Sequence, residues 1–244
     1  MTVGGETVQV KVLGRLVVTD AAGTGLPADD LPRRARQVLG VLAARYDRMQ
    51  SKDSLADAVW GEELPGNHVA ALEHYVSVIR RRLQPGVPAS ASFIVTRAGG
   101  YLFDTARAGL DLADLRRLVR SLDGNPPGSP ARLALYQQIL DLAADLPFPE
   151  DEYADWASPP RAEVRAAALG ALLGLAEAAR TEDPTRALRL AQEAMELDGY
   201  VEQSYRLAMM ASVALGRPDE ALRWFERCRE VLDRELGVAP SPET

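Results

Sequence analysis

A chain of 244 residues with 47% hydrophobic side chains holds enough apolar material for one large domain or two ordinary ones, which excludes a disordered polymer. Cys228 is the only cysteine, so an internal disulfide is ruled out and a structural zinc site is disfavoured. The net charge of −7 is unevenly spread: residues 1–107 hold 13 basic and 11 acidic side chains and the remainder 15 and 24, which joins a slightly basic half to an acidic one.

Residues 8–19, VQVKVLGRLVVT, alternate and are rich in valine, which predicts strands. Gly23, Gly25 and Pro27 mark the loop that follows. In RARQVLGVLAARY, residues 34–46, Val38, Leu39, Val41, Leu42 and Tyr46 fall at helical spacing. Ser51 caps a short second helix with Asp53 in its first turn and Leu55, Ala58 and Val59 on its apolar side, and Gly61 and Pro65 end it. Residues 68–83, HVAALEHYVSVIRRRL, form one amphipathic helix that stops before Pro85. Leu72, Val76, Ile79 and Leu83 share one face. The opposite face carries Ala70, His74, Ser77 and Arg81 with Val78 beside them, and Arg80 and Arg82 sit on the flanks. A buried stripe backed by a small, polar, arginine-edged face suits a helix that enters a DNA major groove. FIVTRAGGYLF, residues 93–103, gives two alternating runs joined around Gly99-Gly100, a β-hairpin.

Beyond residue 110 the pattern is helical. Gly124, Pro126, Pro127, Gly128 and Pro130 mark a loop at 121–130, and residues 132–144 and 161–180 are amphipathic. PTRALRLAQEAMEL from Pro184 and PDEALRWFERCREVL from Pro218 repeat after 34 residues, pairing Ala187 with Ala221, Leu188 with Leu222, Ala194 with Cys228 and Leu197 with Val231. That period is the tetratricopeptide signature. The fold class is therefore mainly α with a small β part: an N-terminal winged helix-turn-helix (sheet, three helices, hairpin wing) followed by an all-α, tetratricopeptide-like domain.

Arginines neutralise phosphates and groove-facing side chains read base edges. The groove-face candidates are His74, Ser77 and Arg81, with Arg80 and Arg82 at its edges and Thr96 and Arg97 on the wing. Arg34 and Arg36 oppose the dipole at the start of the first helix, which hints at an external partner. Leu72, Val76, Ile79 and Trp60 are assigned to the core, and Tyr101 to packing of the wing. Glu73, beside the groove face, either accepts from a cytosine amino group or pairs with an arginine.

Enzyme signatures are missing: there is no GxxxxGK[ST], HExxH or GxSxG, and His68 and His74 are not at a one-face metal spacing. No catalytic residue, metal or cofactor is expected. No apolar run reaches the length of a membrane span and no secretory signal is evident, which reads as cytoplasmic. Two other readings stand beside DNA binding. One is a tetratricopeptide adaptor with a degenerate winged domain. The other is a small-molecule sensor, for which Tyr153, Trp156, Tyr200, Tyr205 and Trp224 are better explained as core packing.

VKVLGRLVV, RRARQVLGVLA, QSKDSLADAVWG, ALEHYVSVIRRRL and TRAGGYLF in the first half, and EDEYADW, DEALRWFERCREVL and DRELGVAPSPE in the second, together resemble the Streptomyces antibiotic regulatory protein (SARP) family. The resemblance implies an OmpR-type winged helix at 1–107 joined to a bacterial transcriptional activation domain at 108–244. It further implies an activator of a secondary-metabolite (antibiotic) gene cluster. Two protomers would bind tandem direct repeats of double-stranded promoter DNA as a homodimer, and the second domain would contact RNA polymerase holoenzyme. Arg34 and Arg36 fall where the family contacts the DNA backbone. One departure stands out. Family members commonly read VSRLRR where this chain has Val76-Ser77-Val78-Ile79-Arg80-Arg81, so Val78 replaces an arginine that faces DNA, while Arg82 restores part of the charge. The prefix Met1–Thr7 is expected to carry no function.

Overall fold

Valine alternation builds the first sheet. In β1 (Val8–Lys11) Val10 is buried while Gln9 and Lys11 are not, the period-2 pattern of a strand with one covered face. The computed structural model describes residues 8–20, 22–26, 30–46 and 48–244; the prefix Met1–Thr7 and the loop marker Pro27 lie outside them. β1 pairs antiparallel with β2 (Val17–Thr19), Val10 opposite Val18, and β2 pairs with β3 (Gly25–Leu26). α1 (Arg33–Ala44), β4 (Gln50–Ser51), α2 (Lys52–Trp60) and α3 (His68–Leu83) lead to the hairpin β5 (Ile94–Arg97) and β6 (Gly100–Phe103), and β7 (Ala108–Leu110) then pairs in parallel with β1, Val10 opposite Leu110. The strand order is β3-β2-β1-β7, and a second sheet has the order β4-β6-β5. Only three residues long, β7 is too short to show a period, so the sequence pattern missed it.

The expected helix signals hold at α2 and α3. Ser51 Oγ accepts from the Ser54 amide at 3.0 Å, Gly61 follows α2 with φ +57°, and α3 stops before Pro85. The cap that opens α3, Asn67 Oδ1 accepting from the Ala70 amide at 3.4 Å, is one the sequence reading did not name. Leu39, Leu42, Leu55, Leu72, Ile79 and Leu83 form the core with Phe93 and Phe103, whose ring centroids lie 5.2 Å apart. Trp60, assigned to the core from sequence, is only half-buried. It lies at the C-terminal end of α2, 6.2 Å from the Tyr75 ring.

The hairpin turn is one residue earlier than expected. Arg97 faces Gly100, so Ala98-Gly99 form the two-residue loop, and Gly99 takes φ +84°. Gly100 serves space instead: a Cβ there would stand 2.0 Å from the Gln50 carbonyl oxygen.

Two compact units result. The first holds residues 1–117 together with 144–164, the second 118–143 with 165–244. In the first, Asp111 opens α4 (Asp111–Ser121) and its buried carboxylate accepts from the amides of Val12 at 2.9 Å, Leu13 at 3.0 Å and Leu112 at 2.8 Å. Burial pushes its pKa up, against the pull of those three donors. Residues 144–164 clasp the same unit. The Gly14 amide donates to the Leu146 carbonyl at 3.2 Å, and Trp156 packs edge-on to Phe148 over Gly40, where a Cβ would meet the Trp156 ring at 2.8 Å.

In the second unit, α5 (Pro130–Leu142), α6 (Ser158–Ala179), α7 (Pro184–Leu197), α8 (Glu202–Ala214) and α9 (Pro218–Leu236) share a core. α6 begins in the first unit and continues here. Ala187, Ala194, Ala221 and Cys228 are buried at matching repeat positions, as the period requires. Leu188 and Leu222 are not equivalent: Leu188 is 7% exposed and Leu222 69%. The aromatics grouped as core from sequence also divide. Trp156 and Tyr205 are buried and Trp224 is half-buried, but Tyr153 is 93% exposed and Tyr200 48% exposed, both in turns between helices.

Candidate nucleic-acid interface

The core stripe of α3 fixes which side of the helix is left over. With Leu72, Val76, Ile79 and Leu83 inward, Ala70, Glu73, His74, Ser77 and Arg81 are exposed in one strip, and Arg82 is exposed at its edge. Among the described residues, the side chains of Arg81, Arg82 and Arg97 have no hydrogen bond or ion pair within the protein. Their guanidinium groups stand in solvent, with five donors each and a fixed positive charge.

Val78 does not join that strip. The sequence wheel placed it beside the groove face, but it is only 7% exposed. It shares a strip with Ala71 and Tyr75, both half-buried, so packing on that flank covers a short apolar side chain.

The arginine cluster also separates by role. Arg80 is half-buried and turned toward the wing. Its Nε and Nη2 donate to the Ile94 carbonyl at 3.2 and 2.6 Å, and Nη2 donates to Thr96 Oγ1 at 2.8 Å. Burial lowers its pKa below the usual arginine range. Thr96 and Arg97 are exposed on β5, so the structure brings His74, Ser77, Arg80, Arg81, Arg82, Thr96 and Arg97 to α3 and the adjoining hairpin.

Arg34 and Arg36 are held elsewhere. Arg34 Nη1 donates to the Val59 carbonyl and, at 2.9 Å, to Gln37 Oε1, and its guanidinium lies 5.9 Å from the Trp60 ring centroid. Arg36 donates to the Leu31 carbonyl at 2.9 Å and pairs with Glu150 at 3.0 Å, while Gln37 Nε2 donates to Asp151 Oδ1 at 2.6 Å. Arg34 and Arg36 thus have internal partners, which offset the cost of a positive charge near the helix N-terminus.

Sequence reasoning missed Lys52. It opens α2, and its Nζ donates to Glu73 Oε1 on α3 at 2.5 Å. That hydrogen bond raises the Lys52 pKa and holds the ammonium charged. Tyr101 lies close by and is buried, with its hydroxyl pKa raised by that burial. No short-range signal marks the Lys52–Glu73 pair, because it depends on how α2 and α3 cross. Of the two histidines, His68 Nε2 lies 3.3 Å from Asp53 Oδ1 and His74 packs against Tyr75. Among the described residues, no group of three or more His, Cys, Asp or Glu is placed to hold a metal, and no helix is long and apolar enough to cross a membrane.

Comparison with known proteins places this geometry. The model of the bacterial transcriptional activator domain matches residues 110–244, and that of the transcriptional regulatory protein C-terminal domain matches residues 29–103. The chain is 31% identical to the regulatory protein AfsR of Streptomyces coelicolor over 215 residues, which is 85% of this chain but only 20% of AfsR. It is 29% identical to the regulatory protein DnrI of Streptomyces peucetius over 245 residues, 96% of this chain and 88% of DnrI. Its fold is shared with Mycobacterium tuberculosis EmbR, solved in complex with a low affinity phosphopeptide: the TM-score is 0.81 at 20% identity, over 98% of this chain and 63% of that one. The regulatory-domain match overturns the alternative of a protein-interaction adaptor with a degenerate winged domain. With the activator domain matched over more than half of its length and the regulatory domain preceding it, the chain belongs to the Streptomyces antibiotic regulatory protein family of transcriptional regulators.

Proposed function

We propose that the chain is a non-enzymatic, sequence-specific DNA-binding activator of a secondary-metabolite gene cluster, working in the cytoplasm. Residues 1–107 supply the DNA reader and 108–244 the activating part, although the compact units cross that division. The observation that carries this reading is the exposed strip of α3, with Arg81 and Arg82 on it and Arg97 on the wing, all without internal partners among the described residues.

The roles follow from that arrangement. Ser77, His74 and Arg81 face base edges in the major groove, and Arg82 holds a phosphate at its edge. Arg97 reaches from the wing into the neighbouring minor groove. Arg80 and Thr96 set the wing against α3 and hold a phosphate in common. Arg34 and Arg36 act mainly within the protein, steadying α1. Each protomer carries one α3, so two protomers side by side read tandem direct repeats as a homodimer on DNA, and a head-to-tail arrangement suits that register better than a two-fold one. The acidic second half then contacts RNA polymerase holoenzyme.

Titration of the full chain against a fluorescent duplex selected from a random pool tests the reading. Affinity should fall with added salt, with a log–log slope of about −3.6 or steeper for four or more phosphates neutralised. No duplex selected above background, or binding indifferent to salt, contradicts it.

A further inference from the structure

The carboxylate on the DNA-facing strip is the feature that phosphate binding does not explain. Glu73 lies one turn before Ser77 and two before Arg81, and its side chain is 53% exposed. An unpaired negative charge there would repel the phosphates that Arg81 and Arg82 attract. Lys52 removes that conflict from a different helix: its Nζ, donating at 2.5 Å, takes one carboxylate oxygen, Oε1. Among the described residues no other hydrogen bond reaches Glu73, so Oε2 is left as an acceptor that the Lys52 bond holds in one orientation.

Such an acceptor selects its partner by chemistry. In the major groove only cytosine N4 and adenine N6 donate, and adenine sets its N7 acceptor beside N6, which repels a carboxylate. We propose that Glu73, oriented by Lys52, is a specificity-determining residue that accepts a hydrogen bond from a cytosine amino group in the operator. Lys52 is its positioning residue: it neutralises the pair as a whole and fixes the rotamer before DNA arrives, which reduces the ordering cost of the contact. The inference rests on α3 being the recognition helix.

The two substitutions Glu73→Ala and Glu73→Gln make opposite demands on this geometry. Alanine deletes the acceptor. Glutamine keeps an oxygen for Lys52 to hold and therefore turns its NH2 group outward, which replaces an acceptor by a donor. The full chain and both variants are each used to select binding sequences from a randomised duplex pool. The unaltered chain should prefer cytosine at one position by about ten-fold. Glu73→Ala should lose that preference alone, and Glu73→Gln should move it away from cytosine to a base presenting an acceptor. Identical preferences at every position for all three proteins would overturn the proposal and leave the Lys52–Glu73 pair as a tie between α2 and α3. If the unaltered chain selects no sequence at all, the DNA-binding reading itself fails and the proposal falls with it.

Discussion

Arg80 on α3 and Thr96 on β5 are joined by a hydrogen bond of 2.8 Å, and the same guanidinium donates to the Ile94 carbonyl two residues earlier on that strand. Helix and hairpin are thereby set in one relation by polar links as well as by apolar packing. The distance between Ser77 on α3 and Arg97 on β5 becomes a property of the fold, not of the DNA.

Arg80→Ala should therefore do two separable things. Loss of charge-assisted hydrogen bonds from a half-buried group should reduce stability by about 1–3 kcal/mol in urea unfolding. Hydroxyl-radical footprints on a selected duplex should lose the protection given by the wing while that of α3 remains. Loss of both protections together at full occupancy would assign Arg80 a direct part in α3's contact.

Arg81 and Arg82 should respond differently to truncation, although both are exposed. Arg81→Ala should cost about 1–3 kcal/mol of affinity for the selected duplex and relax preference at one position, as expected of a base contact. Arg82→Ala should weaken all duplexes alike and reduce the salt slope by about one. Gel-shift titrations at several fixed salt concentrations separate the two. Unchanged binding would remove either residue from the contact set.

Two glycines hold positions where no side chain fits. Gly100→Ala drives a Cβ against the backbone of Gln50, which cannot yield without parting β4 from β6, so a loss of about 3 kcal/mol or more is expected. Gly40→Ala meets the edge of the Trp156 ring instead, and the expected cost is about 1–3 kcal/mol. Tryptophan fluorescence should report the second change and not the first.

Glu202 gives the second unit a pH dependence of definite sign. Its carboxylate accepts from Thr244 Oγ1 at 2.5 Å, and from the Ser241 hydroxyl and amide at 2.8 Å each, and these donors hold its pKa below the usual value. A depressed acid contributes stability that is present above the unfolded pKa and is lost as pH falls through the folded one. Acidification should therefore release residues 241–244 from the start of α8 before the core unfolds. Amide exchange at Ser241 read across the acid range checks this, and Glu202→Gln should flatten the dependence.

Where a feature rests on local period or capping, the chain announces it. The bounds of α3 follow from the spacing of Leu72, Val76, Ile79 and Leu83 and from Pro85 beyond them, and Ser51 marks α2. The hairpin was legible as a pair of strands but not its turn: two adjacent glycines each satisfy a positive φ, and only the pairing of β4 with β6 shows that Gly100 is needed for space. Arg34 and Arg36 look alike free in sequence, because the Val59 carbonyl lies 25 residues away and Glu150 lies 114 away. Val78 sits on the polar side of a helical wheel, which counts angles on one helix and not what packs against its flank. The Lys52–Glu73 pair escaped for the same reason.

Affinity cleavage from position 77 tests most directly that the exposed strip of α3 lies in the DNA groove. Cys228, the only native thiol, is fully buried, so an iron chelate attached to Ser77→Cys labels that position alone. On a selected duplex, cleavage is predicted at a few adjacent nucleotides within the recognised half-site, in the pattern of a reagent held in the major groove. A labelled protein that binds the same duplex yet leaves it uncut, or cuts it evenly along its length, would contradict the account.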